Sequence, residues 1–208
     1  MLNVGLTGGI ASGKSTVARM LVAKGALLID FDEMAHAVQE QEGKVWREIV
    51  RHFGPEILGP DGKIDRRRLG DCVFADRKKL DLLNSLVHPA VFEQWWSRLE
   101  EIRKTQPEAI VLSDIPLLIE AGLKPMVDLV LVVYLPPEKQ IARLMARDGF
   151  SREEAASRLA SQMPIGDKLA YADIVIRNDG SLEETRGVVD EVWGELNKRE
   201  QLRRAGTG

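Results

Sequence analysis

The stretch GLTGGIASGKST, Gly5–Thr16, governs how the rest of the chain is read. Gly8, Gly13, Lys14 and Ser15 complete the spacing G-x-x-x-x-G-K-[ST], with an apolar run, Leu2–Leu6, before it and a helical pattern, Thr16–Ala23, after it. That setting between strand and helix turns a string match into a phosphate site. Glycines let successive backbone N–H groups turn inward around a polyphosphate, and the following helix directs its positive end to the same point. Lys14 is expected to reach the β and γ phosphates of a nucleoside triphosphate, and the Ser15 hydroxyl to hold Mg²⁺. Gly9, Ala11, Ser12 and Thr16 complete the nucleotide-facing set. A tight structural turn is the competing reading of the same letters, and the flanking elements disfavour it.

Outward from this loop, further apolar runs rich in Val, Ile and Leu occur at Ala26–Ile29, Ala109–Leu112, Leu129–Leu135 and Ile174–Ile176. Helical periodicity fills the intervals at Lys44–Phe53, Leu80–Ile102, Glu138–Arg147, Glu153–Gln162 and Glu183–Leu196. Strands alternating with helices predict an α/β domain, a mostly parallel five-stranded sheet with helices on both faces. Ser151 with Glu154, and Ser181 with Glu184, read as capping boxes opening helices. Residues from about Met34 to Thr105 hold no convincing strand and read as a helical insertion between the second and third strands. The tail from Lys198 is polar and is expected to be frayed.

Length and composition narrow the function classes. At 208 residues one substantial core is expected, carried as a single domain. The formal net charge of −3 provides no global field toward nucleic acid or an anionic membrane, so any anion must be captured locally. One cysteine, Cys72, forms no internal disulfide, and no apolar run approaches the roughly 20 residues needed to span a bilayer. A reducing, cytoplasmic setting follows as the default.

The loop leaves open where the γ phosphate goes. A guanine-specifying N-K-x-D is not matched: the nearest string, Asn197–Glu200, has Glu in place of Asp and lies in the terminal helix, which disfavours a GTPase. Asp30 and Asp32 follow the second apolar run, and ligands of open parallel sheets sit beyond the carboxyl ends of strands. Both carboxylates are therefore expected near the phosphates, Asp32 as a base candidate. A plain N-cap for the helix starting near Met34 is the structural alternative for Asp32, and the two roles are compatible.

At this point the chain resembles the dephospho-CoA kinases. The residues that carry the likeness are GLTGGIASGKST, Asp30-Phe31-Asp32, DRRRL at Asp65–Leu69, His88-Pro89, PLLIEAG at Pro116–Gly122 and QIARLMARD at Gln140–Asp148, followed by Gln162, Lys168, Ala172-Asp173 and Asn178. The resemblance implies a P-loop kinase of three layers, using ATP and Mg²⁺ to phosphorylate the ribose 3′-hydroxyl of dephospho-CoA. It implies a core over about 1–33, 106–137 and 166–198, an acceptor-binding insertion over about 34–105 and a lid over about 138–165. Ala11 stands where the family more often has glycine, a departure that matters if the position needs positive φ.

The resemblance also implies roles. Arg143 matches the position expected to reach ATP, with Arg147 one helical turn on. Asn178 offers an amide or backbone edge to adenine, although Asn-Asp-Gly is equally a turn former. His88 and Arg66 are expected on the acceptor, with Leu117 and Glu120 lining its cleft. Asp114 invites a water-mediated Mg²⁺ reading. The catalytic set is thus Lys14, Arg143 and Asp32. The competing readings are a P-loop kinase for another nucleoside or metabolite and a nucleotide-dependent binding module without an acceptor.

Overall fold

Every apolar run of the sequence becomes a strand of one parallel sheet in the computed structural model, which describes residues 1–74 and 76–206. The strands are β1 (Leu2–Gly8), β2 (Leu27–Asp30), β3 (Ile110–Asp114), β4 (Leu129–Tyr134) and β5 (Ile174–Arg177), in the spatial order β2-β3-β1-β4-β5. β1 pairs in parallel with β3 through Leu2–Ile110 and with β4 through Val4–Leu129. The chain leaves β1 toward one side and returns to its other side, so the carboxyl end of β1 is the switch point where open α/β sheets bind ligands. The glycine-rich loop starts there.

Among the described residues the helices are α1 (Lys14–Ala23), α2 (Phe31–Ala37), α3 (Lys44–Phe53), α4 (Arg66–Phe74), α5 (Arg77–Thr105), α6 (Pro137–Asp148), α7 (Arg152–Ala160), α8 (Ile165–Lys168) and α9 (Leu182–Ala205). Asp30–Glu101 forms one compact unit, and the chain on either side of it forms another. In the second of these, the strand period of two sorts β1 cleanly. Leu2, Val4 and Leu6 face a core completed by Val17 and Leu21 of α1 and Val189 and Leu196 of α9. Asn3 and Thr7 face the other way and are satisfied there: Ser113 donates to Asn3 Oδ1 at 2.8 Å, and Thr7 donates to the Pro116 carbonyl at 3.0 Å. Both capping boxes form as expected, at Ser151 with Glu154 and Ser181 with Glu184.

The polar tail departs from expectation. α9 continues through Ala205 rather than fraying from Lys198. Its polar residues are matched to partners in the same unit: Glu200 is buried and takes Arg204 at 3.0 Å and the Met1 ammonium at 3.6 Å, Arg203 meets Asp128, and Arg204 meets Glu108. Cys72 sits half-buried on α4.

In the Asp30–Glu101 unit, α5 runs on through Pro89, whose missing N–H withholds a bond from the Ser85 carbonyl one turn back. Trp95 is fully buried and meets Phe31 edge-on at 5.0 Å, while Trp96 is exposed.

Candidate active site

The loop between β1 and α1 is built by close approach. A Cβ on Gly8 would meet Ser12 Oγ and the Val133 carbonyl at 2.7 Å, and Gly13 sits at φ 90 against the Asn178 amide, so neither tolerates a side chain. Ser12 N–H donates to the Gly9 carbonyl at 3.0 Å, closing the turn from within. The Ser12 carbonyl is drawn outward by Asn178 Nδ2 at 2.7 Å and Arg143 Nη1 at 3.4 Å. Because the peptide is planar and trans, the Gly13 N–H then points the opposite way, joining the unpaired N–H groups of the first turn of α1. That is a ready anion site. Ser12 Oγ and Gln140 Oε1 are buried beside this loop without a hydrogen-bond partner, polar atoms that a bound group or water would satisfy.

Ala11 holds φ 57, the left-handed region, which costs an L-residue about 1–2 kcal/mol. The departure at Ala11 therefore carries a physical cost. Ala11→Val adds a β-branch at positive φ and is expected to lower stability by about 1–3 kcal/mol. Ala11→Gly should leave the melting temperature near wild type, since relief of strain is offset by glycine's backbone entropy. Thermal unfolding of the two variants checks this, and an unchanged melting temperature for Ala11→Val would refute it.

Lys14 opens α1, and its ammonium rests on the buried carboxylate of Asp114 at the end of β3. Ser15 and Thr16 follow, the Ser15 side chain exposed at the mouth of the loop. Arg143, on α6, donates to the Asn178 carbonyl at 2.9 Å as well as to Ser12, so α6 and the loop are in contact. Asn178 is buried; its Oδ1 accepts from Thr185 at 2.9 Å and its Nδ2 holds Ser12. Its side chain is thus engaged in shaping the loop, beyond the adenine edge or turn role expected of it. Arg147 is exposed and paired with the adjacent Asp148 through two 2.8 Å bonds, which raise its pKa and lower that of Asp148. Leu117 and Glu120 lie in the segment after β3, Leu117 exposed and Glu120 bonded to Lys168 at 2.8 Å.

The Asp30–Glu101 unit carries the remaining candidates. Asp30, not Asp32, is the N-cap of α2, its Oδ1 accepting from Asp32 N–H at 2.8 Å and Glu33 N–H at 3.1 Å. The reason is the helix start: α2 begins at Phe31, three residues earlier than the sequence pattern implies. Asp32 therefore presents an exposed carboxylate in the first turn. Arg66, first residue of α4, contacts His36 Nε2, and both line a groove of about 710 Å³ with Glu33, Gln39, Glu40 and Lys63. His88 lies on α5 with its ring 5.9 Å from that of Phe92, and partial burial lowers its pKa, which favours the neutral ring.

Sequence reasoning assigned no role to Gln140, Lys168 or Thr185, all buried beside or behind the loop. The one local signal for Lys168 is its i, i+3 spacing from Ile165, the other buried residue of α8.

Comparison with known proteins accords with this geometry. The family model for dephospho-CoA kinase matches residues 2–184. A dephospho-CoA kinase of Syntrophus aciditrophicus is 56% identical over 204 residues, covering 98% of this chain and 87% of the relative. Among solved structures, a Thermus thermophilus protein superposes with a TM-score of 0.80 at 37% identity, and dephospho-CoA kinase from Campylobacter jejuni with 0.73 at 30%. Each alignment covers 94% of this chain and 97% of the solved one. The chain belongs to the dephospho-CoA kinase family, the ATP-dependent phosphotransferases of the last step in coenzyme A synthesis.

Proposed function

We propose that this chain transfers the γ-phosphoryl of ATP to the 3′-hydroxyl of dephospho-CoA with Lys14 and Arg143 carrying positive charge to the phosphates and Asp32 receiving the hydroxyl proton. The observation that carries the assignment is the contact of Arg143 with the Ser12 carbonyl, which keeps a lid cation at the rim of the phosphate loop. Phosphoryl transfer asks a protein mainly for positioning and for charge around the equatorial oxygens. Lys14 exchanges Asp114 for the β and γ phosphates as ATP enters. Gly8, Gly9, Ala11, Ser12, Gly13 and Thr16 wrap the same phosphates with backbone and hydroxyl groups.

Mg²⁺ fits the donor set here. Among the described residues no three His, Cys, Asp or Glu side chains form a cage, while one exposed hydroxyl, Ser15, stands at the loop. Mg²⁺ characteristically takes one or two protein oxygens and completes its shell with phosphates and water. When bound it neutralises charge on the phosphates. Arg66 and His88 would hold the acceptor, His88 as a neutral hydrogen-bonding ring. Arg147 is a second-line ATP contact, released from Asp148 when it acts. Leu117 is an acceptor-side contact. The enzyme is proposed to work in the cytoplasm on small molecules rather than on nucleic acid or membrane; among the described residues no helix is long and apolar enough to cross a bilayer.

A coupled ADP-release assay with dephospho-CoA, with adenosine and with no acceptor tests the reading. Turnover is expected with dephospho-CoA alone. Equal ADP release in all three would make the acceptor assignment untenable.

A further inference from the structure

Lys168 closes α8 and is fully buried, a position lysine holds only when its charge is matched. An ammonium has three donors, and three oxygens surround this one: Glu120 Oε1 at 2.8 Å, the Pro116 carbonyl at 3.4 Å and the Gly8 carbonyl at 3.5 Å. They come from separate parts of the site. Gly8 opens the phosphate loop, Pro116 and Glu120 belong to the PLLIE segment after β3, and Lys168 follows the lid helices. Further bonds run between the same stretches. Glu120 accepts from the Met163 N–H at 3.2 Å, Gln162 Oε1 accepts from the Ile10 N–H at 3.0 Å, and Thr7 donates to the Pro116 carbonyl at 3.0 Å. Ile10 and Ala11 also pack against the lid cluster of Ile141, Leu144 and Ala155.

We infer that Lys168 is a positioning residue for phosphoryl transfer, orienting the first peptide of the phosphate loop and tying it to the chain that leaves the lid, with Glu120 as its counter-charge. The ammonium lies 3.5 Å from the Gly8 carbonyl, a long charge–dipole contact that favours the Gly9 N–H, across the planar trans peptide, facing the opposite side. Gly9 has no side chain to anchor it, since a Cβ there would collide with Gln140. A charged donor in a dry site holds a carbonyl more firmly than a neutral one. Lys168 is fully buried while Glu120 keeps 22% of its side chain exposed; apolar side chains often match a buried charge in stability, so the charge is better accounted for by the geometry it imposes. Glu120 thereby acts through Lys168, in addition to the acceptor-cleft position expected of it.

The inference rests on the loop being the ATP site, and its test separates the two. Lys168→Met and the double variant Lys168→Met with Glu120→Gln are compared with the wild-type chain in melting temperature and in coupled ADP release with dephospho-CoA. The single variant leaves Glu120 unmatched and is expected to melt lower. The double variant removes both charges while keeping an acceptor for Met163, so its melting temperature returns toward wild type. Its kcat is expected to stay about 10²-fold low, the cost of misplacing a reacting group, with KM for dephospho-CoA little changed. Recovery of wild-type kcat together with stability, or a double variant that remains unfolded, makes the pair merely structural and overturns the inference. Wild-type protein that gains no thermal protection from ATP overturns the phosphate-site reading and this inference with it.

Discussion

Arg143→Ala is expected to lower turnover at saturating ATP by about 10³-fold, the low end of what an arginine on a transferring phosphoryl contributes. The guanidinium offers a rigid fork of donors and a permanent charge, and it can meet both the charge spread over the equatorial oxygens and the charge that builds on the leaving oxygen of ADP. Its two bonds to the Ser12 and Asn178 carbonyls raise a competing account, in which the arginine matters only as a tether of the loop. Asn178→Ala separates the accounts, because it removes the 2.7 Å bond to the same Ser12 carbonyl and leaves the cation in place. The transition-state role requires Arg143→Ala to be far slower than Asn178→Ala in steady-state kinetics. Equal losses would assign the arginine to loop structure.

Asp32→Asn is expected to reduce kcat by roughly 10² or more, the usual contribution of a positioned general base, with ATP affinity retained. A ribose hydroxyl is a poor nucleophile at neutral pH, and an amide of the same size cannot take its proton. The cap at Asp30 makes the experiment cleaner: Asp32 does not hold the start of α2, so the substitution should leave the melting temperature close to wild type. Asp30→Asn is the matched control, since asparagine caps as well as aspartate. An inactive Asp30→Asn beside an active Asp32→Asn would exchange the two roles. Full activity in both would mean that positioning alone suffices.

Much of the fold was legible because its signals are local. Buried parallel strands read as unbroken apolar runs, and the capping boxes at Ser151 and Ser181 depend on residues three apart. The start of α2 escapes local pattern for a related reason: Asp30 and Asp32 both offer cap side chains, and in the fold Asp30 caps a helix whose first residue, Phe31, is buried. The end of α9 was misread because Glu200, Arg203 and Arg204 have polar side chains whose partners, Met1, Asp128 and Glu108, lie some seventy or more residues away in sequence.

By itself the sequence determined that a phosphate loop stands between a strand and a helix in an α/β sheet, since the glycine spacing, Lys14 and the flanking periodicities are all properties of neighbouring residues. Tertiary structure alone decided what holds that loop. Asn178 and Arg143 meet at the Ser12 carbonyl, Lys14 rests on Asp114, and Lys168 meets Gly8, Pro116 and Glu120 because parallel strands bring their carboxyl ends together at one edge of the sheet. Hydrogen bonding and burial act on distance in space, and separations of up to 166 residues along the chain leave no trace in local pattern.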